Sequence, residues 1–205
     1  MIKLVYFDYG GVIKDGYPLK KYFHKICDVS LEEAEKTSLS IKTFGNKASK
    51  GLISDEEFWK ECSIILDKKL PDNYLDLAIG EYRANFIFKT DILNLAKKLR
   101  NQGIKTGILS NIFKFEADVI RGNGGYDEFD PTILSYEVGF RKPEAEIYRM
   151  AIDRARVKPE ECIFIDDKKE NLILPEQLGI KTILFKNPKQ VIDDVWKIVD
   201  VNKNE

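Results

Sequence analysis

Histidine is almost missing from this chain: His24 is the only one among 205 residues. A histidine-based nucleophilic triad or a multi-histidine zinc site is therefore nearly excluded. Cysteine is scarce as well. Cys27, Cys62 and Cys162 are odd in number and lack CxxC spacing. That argues against a disulfide framework or thiolate metal site, and fits small buried hydrophobes in a reduced, cytoplasmic compartment. No apolar run approaches the roughly 20 residues needed to span a bilayer. The N-terminus goes straight into a strand, without the basic, apolar and small-residue order of a secretory signal. Charge of one sign is not in excess either: Lys+Arg 33 against Asp+Glu 34 leaves −1. Such a balance provides no global field to draw nucleic acid or an anionic membrane. Repeats and low-complexity segments are absent. Whatever this chain catalyses, carboxylates must do most of it.

What is present is a soluble globular composition, 43% hydrophobic and 33% charged, with length enough for one good core and a modest insertion. The stretch Lys3-Leu4-Val5-Tyr6-Phe7-Asp8-Tyr9-Gly10-Gly11-Val12-Ile13 is a short apolar, β-prone run that ends in an acid and two glycines. It predicts a buried parallel strand delivering Asp8 at its carboxyl end into a tight turn. From Gly16 to about Phe88 the period becomes helical. Ser30-Leu31-Glu32-Glu33 and Ser54-Asp55-Glu56-Glu57 are capping boxes, and Phe44-Gly45-Asn46-Lys47 and Lys50-Gly51 read as breaks between helices. Beyond Asp91, helices alternate with short strands at Lys105–Leu109, Thr132–Leu134, Cys162–Ile165 and Lys181–Phe185. That alternation implies βαβ units, right-handed connections and a parallel sheet.

Polar residues punctuate the strand ends: Asp8, Ser110-Asn111, Lys142 just past the third strand, and Asp166-Asp167. A doubly wound sheet gathers its carboxyl ends along one edge, where ligands bind. Asp8 and Asp166 are hard oxygen donors suited to Mg²⁺, and a carboxylate such as Asp8 can attack phosphorus. Ser110 and the amides that follow suit phosphate oxygens, while Lys142 can neutralise charge developing in a transition state. Each feature also has an ordinary reading: a turn at Asp8, a helix cap at Ser110-Asn111, a solvated Lys142, a cap and turn at Asp166-Asp167. Their joint placement at successive strand ends favours the functional reading.

The four segments resemble the motifs of the haloacid dehalogenase-like superfamily, mostly Mg²⁺-dependent phosphatases. Phe7-Asp8-Tyr9-Gly10-Gly11-Val12 is similar to the first motif and Ile108-Leu109-Ser110-Asn111 to the second. Gly139-Phe140-Arg141-Lys142-Pro143-Glu144 resembles the third, and Asp166-Asp167, with Asn171 after it, the fourth. The resemblance implies a Rossmann-like α/β core over 1–14 and 89–205 and an α-helical cap over 15–88. It implies hydrolysis of a small phosphorylated metabolite, through an aspartyl-phosphate on Asp8. Ser110 and Asn111 would bind phosphate, and Lys142 would serve both substrate binding and catalysis. Mg²⁺ would be held by Asp8, the Gly10 carbonyl, Asp166 and, in support, Asp167. Gly51–Phe58 and Phe140–Glu144 look like the branch containing the α-D-glucose-1-phosphate phosphatase, which makes a sugar phosphate the candidate substrate. Oligomeric state is not legible.

One position departs from the family pattern. The aspartate that acts there as general acid and base stands two residues after the nucleophile, which here is Gly10. A positioned acid typically contributes on the order of 10²–10⁴ in rate. Three readings stay open: another acid, from the cap or Asp15, substitutes; a good leaving group needs little help; or the chain binds a phospholigand without turning it over. A 2-haloacid dehalogenase needs the nucleophile but no metal, and the Asp166-Asp167 pair argues for Mg²⁺.

Overall fold

The computed structural model describes residues 1–201. Its sheet is built from β1 (Leu4–Phe7), β2 (Lys105–Ser110), β3 (Thr132–Leu134), β4 (Cys162–Asp166) and β5 (Lys181–Leu184). The strands run parallel in the order β3-β2-β1-β4-β5. The chain therefore winds outward on one side of β1, crosses back, and continues outward on the other. The direction reverses between β1 and β4, the place where open α/β sheets bind ligands. This is the expected doubly wound α/β architecture.

Both faces of the sheet are covered, as parallel sheets require. Pleating sends Val5 and Phe7 one way, against α5 (Thr90–Asn101), α6 (Lys114–Gly122) and α10 (Pro188–Val201). Leu4 and Tyr6 go the other way, with Phe164 of β4, against α8 (Ala145–Ala155) and α9 (Glu170–Gln177). A one-turn helix, α7 (Ser135–Val138), follows β3 directly and ends at Gly139 in the left-handed conformation, φ 78°. The three cysteines are free and buried, as small apolar side chains. No helix among the described residues is long and apolar enough to cross a membrane.

Between β1 and α5 stand four helices: α1 (Leu19–Ile26), α2 (Leu31–Ala48), α3 (Asp55–Leu66) and α4 (Tyr74–Ala84). At the start of α3, Ser54 Oγ accepts from the Glu57 amide at 3.1 Å and Glu57 returns a carboxylate to the Ser54 amide at 2.8 Å. At α2 only the Ser30 half of the box forms, 3.1 Å from the Glu33 amide. The expected break at Phe44–Lys47 is absent, since α2 runs unbroken through Gly45. A helical glycine costs only about 1 kcal/mol, and Leu19, Phe58 and Phe113 pack around this one at distances where even a Cβ would make only ordinary contact. The break at Gly51 is real. Its φ is +67°, and a Cβ there would overlap the Tyr136 carbonyl.

The helical segment docks on the sheet domain through an aromatic seam. Phe58 lies 5.0 Å from Phe113, and Tyr22 lies 5.8 Å from Phe115. Offset and edge contacts of this kind add ~0.5–1.5 kcal/mol each beyond area burial. Asp55 of α3 accepts from the Phe115 amide in the first turn of α6 at 2.8 Å, satisfying a donor that the helix itself leaves orphaned. Lys50 pairs with Glu144 at 3.0 Å across the same seam.

Candidate active site

Strand register places the acids. Phe7 pairs with Ile165, so the next residues, Asp8 and Asp166, emerge side by side from adjacent parallel strands. The Asp8 amide donates to the Ile165 carbonyl at 2.9 Å, fixing that alignment. On the other side Phe7 pairs with Ile108, which brings Ser110 to the same edge. Ser110 Oγ donates to Asp8 Oδ1 at 2.9 Å, and the Tyr9 amide donates to the same oxygen at 2.7 Å.

Lys142 comes from the loop after α7 and is 1% exposed. Its Nζ lies 2.6 Å from Asp166 Oδ2 and 3.0 Å from Asp8 Oδ1. A buried ammonium is costly unless paired. Burial alone would lower its pKa, but Asp8 and Asp166 together outweigh burial and hold it raised. Asp8 moves the opposite way: burial lifts its carboxyl to about 6, with Lys142 opposing and Asp166 adding to the rise.

Asp166 is fully buried and held from the other side. Asn171 Nδ2 donates to both of its oxygens, at 3.0 and 3.1 Å, and the Lys168 amide donates to Oδ1 at 2.8 Å. Asn171 is anchored in turn, its carbonyl accepting from Tyr148 at 2.7 Å. Asp167 is exposed beside them, and Asp8, Asp166 and Asp167 each bring one oxygen within 4.8 Å of the others. Three hard carboxylate oxygens, with open cavity beside Asp8 and Asp167, fit a Mg²⁺ ion that keeps water and phosphate ligands. The second glycine of the first motif matters here. Gly11 has φ +90°, and a Cβ on it would overlap the Asp167 carboxylate. Gly10 differs: a Cβ there would meet nothing within 4 Å.

Asp8, Lys142 and Asp167 floor a cavity of about 750 Å³, walled by the helical segment and by α6, within the ~300–1,000 Å³ range of small-molecule sites. Asp8, Gly10, Ser110, Asn111, Lys142 and Asp167 all line it. Asn111 does so with its side chain already engaged. Its Nδ2 donates to the Lys142 carbonyl and its Oδ1 accepts from the Lys142 amide, both at 2.8 Å. Asp15, one candidate for the missing acid, does not line the cavity; it ion-pairs with Lys89 instead.

Two residues of the wall were not singled out by sequence reasoning. Lys14 is 1% exposed, with Nζ 4.6 Å from the centre of the Tyr82 ring. Burial lowers its pKa, against Glu116 and Asp15. Glu116 of α6 is half-buried and accepts from the Tyr22 hydroxyl at 2.9 Å. Part of its surface stays open, yet its low-dielectric surroundings push the carboxyl up to about 7, with Tyr22, Lys14 and the Phe113 amide opposing. In sequence, Glu116 was only the third residue of a helix and Lys14 one lysine among many. No local pattern marked either.

Comparison with known proteins bears on this geometry. A family enzyme of the haloacid dehalogenase type from Bacteroides thetaiotaomicron, solved with magnesium and inorganic phosphate, superposes with TM-score 0.73 at 27% identity. That match covers 91% of this chain and 95% of that one. A HAD-like family hydrolase from Porphyromonas gingivalis superposes with TM-score 0.78 at 26% identity, over 97% of this chain and 98% of the other. In sequence, the chain is 27% identical over 198 residues to the D-ribitol-5-phosphate phosphatase of B. thetaiotaomicron, covering 91% of this chain and 93% of that protein. It is 28% identical over 157 residues to the bifunctional epoxide hydrolase 2 of Sus scrofa, 71% of this chain, but spans only 27% of that much longer protein. The family model for haloacid dehalogenase-like hydrolases matches residues 2–179, and the chain belongs to that family.

Proposed function

We propose that the chain is a Mg²⁺-dependent phosphatase of small phosphomonoesters, acting through an aspartyl-phosphate on Asp8. The observation that carries this reading is the position of Lys142, within 3.0 Å of Asp8 and 2.6 Å of Asp166 at the cavity floor. In this reading residues 1–14 and 89–205 form the catalytic core and 15–88 a cap over the cavity. Asp8, Asp166, Asp167 and the Gly10 carbonyl would hold the Mg²⁺. Bound there, the ion would neutralise phosphate charge and orient the phosphoryl group.

Asp8 attacks phosphorus, forming a P–O bond to its carboxylate while the bond to the leaving alcohol breaks; water then hydrolyses the acyl phosphate. Asp8 Oδ1 receives Tyr9, Ser110 and Lys142, which fixes the carboxylate plane before the attack. Ser110 also lines the cavity, and its single hydroxyl proton would turn from Asp8 to a phosphate oxygen when substrate binds. Lys142 balances negative charge as it spreads over the phosphoryl oxygens. Asn111 serves chiefly by holding the Lys142 backbone. A sugar or polyol phosphate is the favoured substrate, supported by the likeness to the D-ribitol-5-phosphate phosphatase. The likeness supports no choice among individual sugars, the α-D-glucose-1-phosphate branch included.

Gly10 favours a second reading, in which phosphate is bound without turnover. Release of inorganic phosphate from a panel of sugar phosphates, with Mg²⁺ and with EDTA, separates the two. Metal-dependent release supports the phosphatase. Magnesium-dependent binding with no release from any member supports the second reading.

A further inference from the structure

The cavity is much larger than the phosphate seat, and its remaining wall has a definite chemistry. Among the described residues lining it, the carboxylates are Asp8, Asp167 and Glu116. The first two belong to the acidic cluster at the floor. Glu116 stands apart on α6, facing α1 and α4 of the helical segment, with Tyr17 and Tyr82 lining the same cavity. It is built in. The Tyr22 hydroxyl donates to Oε1 at 2.9 Å; Tyr22 is itself fully buried and packs 4.6 Å from the Tyr17 ring. The buried Lys14 lies within electrostatic range. Asp55 is the other acid close enough to act on it.

A carboxylate in this position discriminates by what it rejects. An apolar leaving group would cover it without adding a donor to the one that Tyr22 supplies, at the cost of desolvating its remaining acceptor capacity for nothing. A leaving group bearing hydroxyls would donate to it. We propose that Glu116 is the specificity residue of the leaving-group subsite, accepting a hydroxyl of a polyhydroxylated phosphomonoester while the Tyr22 hydroxyl holds its carboxylate in place. The proposal rests on the phosphatase reading above and deepens it.

The test compares two esters with the same five-carbon primary-alcohol framework, D-ribitol 5-phosphate and n-pentyl phosphate, with Mg²⁺ present. Their leaving oxygens are alike, so the comparison isolates the hydroxyls. Wild type should prefer the polyol ester. Glu116→Ala should reduce the ratio of the two kcat/KM values at least tenfold, mainly through a higher KM for the polyol ester. Glu116→Gln, which keeps an acceptor and the shape, should retain part of the preference and stands in if the alanine variant does not fold. An unchanged ratio would overturn the proposal. So would an equal fall in kcat for both esters, which would assign Glu116 to the chemical step instead.

Calorimetric binding of D-ribitol 5-phosphate to Asp8→Asn, with and without Glu116→Ala, needs no turnover. A tenfold or greater loss of affinity supports the subsite, and equal affinity overturns it. Should wild type hydrolyse neither ester, the sugar-phosphate panel decides the phosphatase reading, and this binding measurement alone decides the role of Glu116.

Discussion

Asn111 grips Lys142 by the backbone from both directions, its Nδ2 on the carbonyl and its Oδ1 under the amide, each at 2.8 Å. The lysine whose ammonium lies within 3.0 Å of both buried acids is thus positioned by a residue on a different loop. Asn111→Ala should leave the loop amide and carbonyl unpaired, at about 1–3 kcal/mol. Displacing Lys142 by even ~1 Å can lower kcat on the order of 10²-fold. Thermal melts and steady-state kinetics measure the two effects separately. Loss of stability with kcat intact would show that the clamp serves only the fold.

Gly10 offers the reverse experiment. Nothing lies within 4 Å of where its Cβ would be, and no positive φ bars an L residue there. Gly10→Asp should therefore be tolerated and place an acid over the cavity. Hydrolysis of alkyl phosphates, whose leaving groups need a proton, should rise about tenfold or more, toward the 10²–10⁴ typical of a positioned acid. Aryl phosphates should gain far less. An equal gain on both would mean that the new carboxylate acts through the metal or the fold.

Glu116 gives a pH signature. Its carboxyl rises in the folded chain to about 7 from an ordinary 4.5, so the folded state holds a proton that the unfolded chain releases. Stability from this group is present below about 4.5 and is lost as pH climbs to about 7. The neighbours that bear on it are Tyr22, Lys14, the Phe113 amide and Asp55. The difference in Tm between wild type and Glu116→Gln, followed from pH 4.5 to 8, should move against the wild type as pH rises and level off above 7. A flat difference would mean that the carboxyl titrates normally.

The sheet and its polar edge were legible because parallel strands leave a short-range signal, a compact apolar run that stops at a polar residue. Asp8, Ser110 and Asp166 lie at such stops, and the strand register brings them together as that pattern implies. The α3 capping box was legible for the same local reason. Gly45 misled, because one helical glycine costs only about 1 kcal/mol, too little to end an 18-residue helix such as α2. Asn111 showed its place at a strand end but not its partner, which is fixed by a loop 31 residues away. Glu116 and Lys14 gave no sign at all. Their meaning arises only when α1 and α4 close over α6, a long-range event that no window of sequence contains.

The central claim is that Asp8 is the nucleophile of a metal-dependent phosphatase. Release of p-nitrophenol from p-nitrophenyl phosphate, with Mg²⁺ and with EDTA, for wild type beside Asp8→Asn, tests it most directly. That leaving group needs little protonation, so the gap at Gly10 matters least. The account predicts Mg²⁺-dependent turnover that is lost in EDTA and lost in a folded Asp8→Asn. Turnover that survives in Asp8→Asn would contradict it.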